Sequence, residues 1–208
     1  LSIYSNSNQT VTGTTISGRN LPINDIESSV GLYINTLPLI VDHRTLQSKT
    51  VIESIKDIQD NITEINSRSD INLAKLQKGG ERLFDSLFVY ENYPTPTNIV
   101  QQTKQQTTFK IVFKGGIEKI DYPLAVIAYE ANDQLIFKLS YAGELFSNNS
   151  IENLLKTTET LLNQTATNTT QKVQDLTYLT HTQYEQIIQS WNQTDTAYPD
   201  NKTIHQLF

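Results

Sequence analysis

The sequence has 208 residues, a formal net charge of −6 and an isoelectric point of about 5.0, which argues against a protein that binds polyanions over its whole surface. It contains no cysteine, which excludes disulfides, thiol nucleophiles and cysteine metal sites and fits a reducing compartment. No stretch reaches the roughly 18 apolar residues of a membrane-spanning helix. Because the chain begins with Leu1 rather than methionine and ends at Phe208 in a linker-like segment, we expect a fragment of a longer protein.

Two strands are predicted near the amino terminus. Residues 9–17 are rich in β-branched side chains and are bounded by polar residues and glycine. Residues 32–41 form a second, more apolar run. Its two-residue period places four side chains on one face: Tyr33, Asn35, Leu37 and Leu39. Pro38 cannot donate to a strand ladder, so it predicts an edge strand or a strand end.

The pattern then changes to a helical period. Six branched residues recur every three or four positions and predict an amphipathic helix over residues 49–66: Val51, Ile52, Ile55, Ile58, Ile62 and Ile65. A shorter helix is predicted over residues 70–78, with Asp70 as its amino-terminal cap and two glycines at its end.

Strands dominate the next part of the chain. Residues 82–94 predict a strand, and residues 95–107 form a polar loop of a length that is usually functional or mobile. Three further strand-like runs follow, and the last two are predicted to form a hairpin: 108–113, 122–130 and 133–141.

Two more helices are predicted over residues 150–164 and 181–192, before a turn-rich tail. Roughly six strands and four or five helices, without strict alternation, predict an α+β fold in which a mixed β-sheet packs against helices.

The residues that carry chemistry form no recognisable catalytic motif. The histidines are His43, His181 and His205, and none has a metal-binding spacing or a motif of nucleophilic catalysis around it. Glu91 and Glu130, near two strand ends, are the candidates for a carboxylate pair, although isolated surface carboxylates are the more common case. The sequence therefore indicates a lobe that shapes a site whose reactive group comes from elsewhere.

Three segments resemble the condensation domains of nonribosomal peptide synthetases. That family has a strand ending in Ser-Gly-Arg and a strand with Val/Ile-Gly-x-Phe-x-Asn-Thr-Leu-Pro, which this chain matches at residues 17–19 and 30–38, with Tyr33 in place of phenylalanine. Residues 83–94 resemble a second family marker, Phe-Asp-x-Leu-x-Val-x-Glu-Asn-Tyr-Pro. Residues 184–208 resemble the segment that leads from a condensation domain into an adenylation domain.

The resemblance implies a fold related to chloramphenicol acetyltransferase, in which two lobes form a V around an active-site tunnel. The family signature His-His-x-x-x-Asp-Gly belongs to the amino-terminal lobe and does not occur in this sequence. The resemblance therefore assigns residues 1–177 to the carboxyl-terminal lobe and residues 178–208 to a linker helix and the approach to an adenylation domain. It implies no catalytic residue and no metal ligand in this fragment.

The resemblance also implies roles for individual residues. Arg19 matches an arginine that pairs with the signature aspartate across the lobe boundary, and the alternative is an ordinary exposed arginine. Asn35 and Thr36 match positions that line the tunnel, where a neutral amide binds substrate or, as the alternative, braces a loop. Gly31 permits close approach of the backbone or a positive φ angle.

The polar loop at residues 95–107 resembles the latch that crosses to the other lobe, and we assign Tyr93, Pro94, Thr95 and Asn98 to it. The implied partners are the amino-terminal lobe, donor and acceptor carrier domains and an adenylation domain, with no nucleic acid and no membrane. No cofactor is expected to bind directly, because the phosphopantetheine arms belong to the carrier domains. We expect a protein of the bacterial cytoplasm.

Three alternatives remain open at this point. An epimerisation domain has the same fold, but its motif strand usually lacks Asn-Thr-Leu-Pro. A non-catalytic lobe that only recruits carrier domains would need no histidine motif upstream. A free-standing acetyltransferase-like enzyme would not carry a tail that resembles the approach to an adenylation domain.

Overall fold

The computed structural model describes residues 1–19, 22–26, 28–91, 120–197 and 199–208. Within these ranges it contains one mixed β-sheet and two long helices, which confirms the predicted α+β class. The strands are β1 (Gln9–Ile16), β2 (Asn35–Asp42), β3 (Ser86–Glu91), β4 (Leu124–Ala131) and β5 (Gln134–Tyr141). The helices are α1 (Ser2–Ser5), α2 (His43–Leu46), α3 (Val51–Ser67), α4 (Leu73–Leu76), α5 (Asn148–Thr167), α6 (His181–Glu185) and α7 (Ile204–Leu207).

The strand order of the described sheet is β2-β1-β3-β4-β5. The three central strands β1, β3 and β4 are parallel to one another, and the outer strands β2 and β5 are antiparallel to their neighbours. Consequently β1, β3 and β4 all end at the same edge of the sheet, and β2 and β5 begin there. We call this edge the carboxyl edge.

Strand β2 begins three residues later than the apolar run predicts, at Asn35 rather than Leu32. Asn35, Leu37 and Leu39 share one face as expected, whereas Tyr33 precedes the strand. Pro38 lies in the middle of β2 opposite Gly13, and β2 is an edge strand of the described sheet. The prediction that Pro38 marks an edge strand is therefore confirmed.

The hairpin predicted near residues 131–133 joins β4 to β5. Asn132 and Asp133 form its two-residue loop with φ angles of 51° and 59°. Asparagine and aspartate tolerate this left-handed backbone better than most residues, and two such residues in succession match the right-handed twist of the flanking strands.

Helix α3 follows the predicted isoleucine period closely. Its first turn is closed by a reciprocal cap in which Glu53 N–H donates to Thr50 Oγ1 and Thr50 N–H donates to the Glu53 carboxylate. Val51 and Ser54 are buried, whereas Ile52 and Ile55 stay partly exposed. These features place the helix within two residues of the predicted bounds.

The short helix α4 differs from its prediction. Asn72, and not Asp70, caps it, because Asn72 Oδ1 accepts a hydrogen bond of 2.9 Å from the Ala74 N–H. Both residue types are good caps, so local preference alone does not decide between two positions two residues apart.

The core lies between the sheet and the two long helices. Leu37, Leu124 and Ala128 point from one face of the sheet and are buried, as are Val51 on α3 and Ile151 on α5. Of the helices in the described ranges, none combines the length and hydropathy that crossing a bilayer requires.

On the opposite face, the aromatic ring of Phe84 covers Gly13. A Cβ atom at Gly13 would lie 2.2 Å from Phe84 Cε2, far inside van der Waals contact. Phe84 is itself only 4% exposed and stacks on Tyr122 with 5.3 Å between the ring centroids. The ring has little room to move, so β1 needs a glycine at this position.

We expect Gly13→Ala to lower the free energy of unfolding by about 1–3 kcal/mol, because the added methyl group overpacks the Phe84 site. Urea unfolding followed by circular dichroism measures the change. Gly143→Ala is the matched control, since a Cβ atom there meets no atom within 4 Å, and it should change the free energy by less than about 0.5 kcal/mol. Equal effects of the two substitutions would contradict the Phe84 contact.

His43, at the start of α2, gives the fold a dependence on pH. Its Nε2 atom lies 2.9 Å from Thr10 Oγ1, and burial lowers the pKa of His43 from its ordinary value of 6.5, against a smaller opposing effect of Asp42. The unfolded chain therefore binds the proton more tightly than the folded chain. The contribution of His43 to the free energy of unfolding is therefore fully present above about pH 6.5 and decreases as the pH falls below that value.

We expect wild type to lose more stability than His43→Gln between pH 7.5 and pH 5.0, because only wild type has this histidine to protonate. Urea unfolding at the two pH values gives the difference, and the shared titration of carboxylates cancels in the comparison. An identical loss in both proteins would show that His43 does not contribute to the pH dependence.

Candidate functional site

The residues that the sequence singles out meet at the carboxyl edge. Arg19 follows the end of β1, Asn35 begins β2, and the chain turns at residues 68–73 after α3. Strand β3 also ends at this edge, at Glu91. Loops at the carboxyl ends of parallel strands commonly form binding sites, because neighbouring loops there can surround a common crevice.

Arg19 organises the loop that joins β1 to β2. Its Nη1 atom donates to the carbonyl oxygens of Ile26 at 2.7 Å and Ser29 at 2.9 Å, and Nη2 donates to that of Gly31 at 3.4 Å. The guanidinium also lies 4.7 Å from the ring centroid of Tyr33. Arg19 is thus a bound, partly buried side chain and not an ordinary exposed arginine.

Tyr33 is the second organiser of this loop, and sequence reasoning noted it only as a replacement for phenylalanine. Its hydroxyl lies 2.6 Å from Ser29 Oγ. A Cβ atom at Gly31 would lie 3.1 Å from Tyr33 Cε2, and one at Gly18, which has a φ of 65°, would lie 2.1 Å from the Tyr33 carbonyl oxygen. Close approach to Tyr33, rather than a positive φ, is therefore what Gly31 provides.

Asn35 ties the start of β2 to the turn after α3. Its Nδ2 atom donates to the carbonyl oxygens of Ser69 at 2.9 Å and Ile71 at 2.6 Å, while Oδ1 accepts from the Thr36 N–H at 2.8 Å. Both N–H groups of the amide are used within the chain. This geometry is that of the bracing alternative.

Thr36 does not share a surface with Asn35. Asn35 is opposite Ile16 and Thr36 is opposite Thr15 in the β1–β2 ladder, so successive side chains point to opposite faces of the sheet. The role of Asn35 and Thr36 in lining a tunnel stays a prediction, and the two side chains would have to reach it from different faces of β2.

A pocket of about 420 Å³ opens beside Asn35. Residues 32–35 form one wall and residues 69–73 form the other, with Gly18 at the base of the β1–β2 loop. The hydrogen bonds of Asn35 join the two walls, so its amide sets the width of the pocket.

Apolar side chains protrude from the same edge. Val30 is fully exposed, Leu32 is 88% exposed, and Ile23 and Ile34 are each at least half exposed. Soluble proteins rarely collect large apolar side chains in one exposed loop unless another surface covers them. The loop therefore has the character of an interaction surface.

Glu91 and Glu130 do not form the carboxylate pair that was considered. Glu91 is beside Tyr129 in the β3–β4 ladder, which places Glu91 and Glu130 on opposite faces. Glu130 instead accepts a hydrogen bond of 2.7 Å from the Tyr90 hydroxyl, and this bond raises the pKa of Tyr90.

The four residues assigned to the latch lie outside the described residues: Tyr93, Pro94, Thr95 and Asn98. Within the described ranges, no three histidine, aspartate or glutamate side chains are grouped as a metal site would need.

Comparison with known proteins identifies a family over most of the chain. Residues 1–188 match the sequence model of the condensation domain. The chain is 44% identical to N-(5-amino-5-carboxypentanoyl)-L-cysteinyl-D-valine synthase of Penicillium rubens. The aligned region covers 100% of this chain and 6% of that protein. The synthase of the same name from Amycolatopsis lactamdurans is 41% identical over 97% of the chain and 6% of its own length. The chain thus spans a small part of these relatives.

Solved structures share the fold at low sequence identity. A crystal structure of a protein designated CT superposes with a TM-score of 0.67 at 19% identity, covering 85% of this chain and 41% of that one. The X-domain from teicoplanin biosynthesis superposes with a TM-score of 0.63 at 20% identity, covering 86% and 41%.

The family match and the two synthases agree with the motifs at residues 17–19, 30–38 and 83–94, and the solved structures agree with the fold. The resemblance drawn from the sequence is confirmed: this chain belongs to the condensation-domain family of nonribosomal peptide synthetases.

Proposed function

We propose that this chain is the carboxyl-terminal lobe of a domain that forms an amide bond. The reaction joins a carrier-bound aminoacyl or peptidyl thioester to the amine of a carrier-bound acceptor. The observation that carries the proposal is the convergence of Arg19, Asn35 and the end of β3 at one edge of the sheet in a member of the condensation-domain family. The solved relatives align over about two fifths of their length, which suits one lobe of a two-lobe domain.

In this reaction the acceptor amine attacks the thioester carbonyl and the carrier thiol leaves. Holding both substrates in one tunnel converts the bimolecular step into an effectively intramolecular one. The group that orients or deprotonates the amine is the histidine of the other lobe, so residues 1–208 alone should be inactive. This lobe contributes shape: Asn35 fixes the turn at 69–71, and Arg19 fixes the loop that carries Gly31.

The partner of the exposed loop is the amino-terminal lobe. Val30 and Leu32 would be covered there, and Arg19 would meet an aspartate of that lobe in addition to its carbonyl partners. Carrier domains with phosphopantetheine arms and an adenylation domain complete the assembly. A cytoplasmic, bacterial origin stays a prediction, since the relatives include a fungal protein.

A division at residue 177 is supported by local contacts. The side-chain amide of Gln164 on α5 binds the main chain of Thr177 twice. Its Nε2 atom donates to the Thr177 carbonyl oxygen at 2.7 Å, and its Oε1 atom accepts from the Thr177 N–H at 3.0 Å. Thr180 and Gln183 then form a reciprocal cap that starts α6. The lobe would therefore end where α5 fastens the chain, and residues 178–208 would form the linker, although the family match continues to residue 188.

A lobe that only recruits other proteins is the second candidate. It is favoured by the likeness to the X-domain, which has also been solved in complex with OxyB and superposes in that complex with a TM-score of 0.62. An intact histidine signature upstream in the parent chain would favour the amide-forming enzyme over the recruiting lobe. Inversion of a carrier-bound residue without amide formation would instead identify an epimerisation domain.

We expect Asn35→Ala in the complete condensation domain to reduce product formation about tenfold, because two carbonyls lose their donor and the pocket wall loosens. Donor and acceptor carriers are loaded, and the condensed product is followed by mass spectrometry. Asn61→Ala is the matched control, since Asn61 is exposed on α3 and has no side-chain hydrogen bond to a described residue.

A wild-type domain that is inert with every loaded pair would favour the recruiting lobe. An active wild type with an equally active Asn35→Ala variant would remove Asn35 from the site. Thermal unfolding of each variant separates a lost site from a lost fold.

We also expect Arg19→Ala to raise amide exchange of Ser28 and Ser29 about tenfold, because both amides donate to the Asp25 carbonyl within the loop that Arg19 holds. Arg19→Lys should recover only part of the protection, since lysine lacks the planar fork of arginine. Hydrogen exchange measured by mass spectrometry gives the rates. Arg44→Lys, in an exposed ion pair with Asp42, should leave them unchanged, and unchanged exchange in Arg19→Ala would refute the bracing role.

A further inference from the structure

The pocket beside Asn35 contains a buried hydroxyl that has no partner among the described residues. Ser69 lines the pocket and is 7% exposed, and its Oγ atom makes no hydrogen bond. Its carbonyl is held by Asn35 at 2.9 Å, so the backbone of this residue is fixed. An unsatisfied buried hydroxyl lowers stability, so its presence in a pocket wall calls for an explanation.

Asp70 adds a negative charge to the same wall. It is exposed, and its carboxylate has no hydrogen bond or ion pair within the part of the chain that the structure describes. It is not used as a helix cap, because Asn72 takes that role. The Asn35 amide donates both of its N–H groups to carbonyl oxygens, so it offers the pocket no donor. The groups on the walls that remain for a ligand are the Asp70 carboxylate, the Ser69 hydroxyl and the Nδ2 group of Asn72, whose Oδ1 atom caps α4. Of these three, only Asp70 carries a charge.

We propose that this pocket binds a protonated primary amine at the far end of an aminoacyl chain, with the Asp70 carboxylate and the Ser69 hydroxyl as acceptors. The link to an aminoacyl chain rests on the proposed function. An ammonium group supplies three N–H donors and one positive charge, which match a carboxylate and a hydroxyl oxygen. Leu32 and Leu73, also on the pocket walls, would pack against the aliphatic part of the chain.

Ser69 Oγ faces the ligand after a rotation of its side chain. A serine hydroxyl exchanges between three staggered χ1 positions, so the orphaned oxygen turns toward the cavity when an ammonium group enters. The hydroxyl has no partner among the described residues, and the ligand would supply one.

The test uses the complete condensation domain that contains this chain and n-butylammonium chloride as the probe. Binding is measured by calorimetry and by chemical-shift changes at residues 69–73, with n-butanol as the neutral analogue. We expect butylammonium to bind in the millimolar range and butanol not to bind. Asp70→Asn should weaken amine binding about tenfold or more, because the negative charge that pairs with the ammonium group is lost while an acceptor oxygen remains.

The serine variants distinguish a site from a packing defect. Ser69→Ala removes the orphaned hydroxyl, so it should raise the unfolding midpoint by about 2–4 °C while it weakens amine binding several-fold. Ser54→Ala is the matched control: Ser54 is 5% exposed, its Oγ also lacks a partner, and it lies on α3 outside the pocket walls. It should raise the midpoint similarly and leave amine binding unchanged.

Equal binding of butanol and butylammonium, no shift change at residues 69–73, or unchanged affinity in Asp70→Asn would each overturn the proposal. The outcome is separable from that of the proposed function. Amine binding is measured without chemistry, and condensation of substrates with apolar side chains does not depend on it.

Discussion

The amide of Asn35 is the interaction on which the arrangement of the carboxyl edge depends. It joins the first residue of β2 to two carbonyls of the turn after α3 and accepts from the next main-chain N–H. A neutral amide suits this task because it offers two donors and an acceptor without the desolvation cost of a buried charge. Aspartate would present no donor, and glutamine would be one methylene too long. The turn at residues 69–73 therefore owes its position to one side chain from another element.

Arg19 and Tyr33 act in the same way on the other wall. The guanidinium donates to the carbonyl oxygens of residues 26, 29 and 31 and lies over the ring of Tyr33. Two glycines lie against Tyr33: a Cβ atom at Gly18 would clash with its carbonyl oxygen, and one at Gly31 would lie in tight contact with its ring. The described part of this loop is thus held by internal contacts while Val30 and Leu32 stay exposed on it. Exposed apolar side chains on a braced loop have the character of an interaction surface.

Patterns carried within one element were predictable, and contacts between elements were not. The isoleucine period predicted α3 to within two residues of each end, and the Asn-Asp pair predicted the hairpin. Local preference misplaced the cap of α4, where Asp70 and Asn72 are equally suitable. Glu91 and Glu130 could not be placed on a face without the strand register. Bracing by Asn35 could be named from the sequence as an alternative, but its partners could not be identified, because they lie 34 and 36 residues away.

Pro38 interrupts the outer edge of the described sheet at the middle of β2. A free strand edge presents a row of main-chain donors and acceptors on which a second chain can add a strand, and an apolar edge invites such aggregation most. Proline has no N–H, so the row is broken at its centre. The leucine-rich strand can therefore bury its inner face in the core while remaining a poor template for another copy. A residue that looks out of place in an apolar run thus protects the chain from assembling edge to edge.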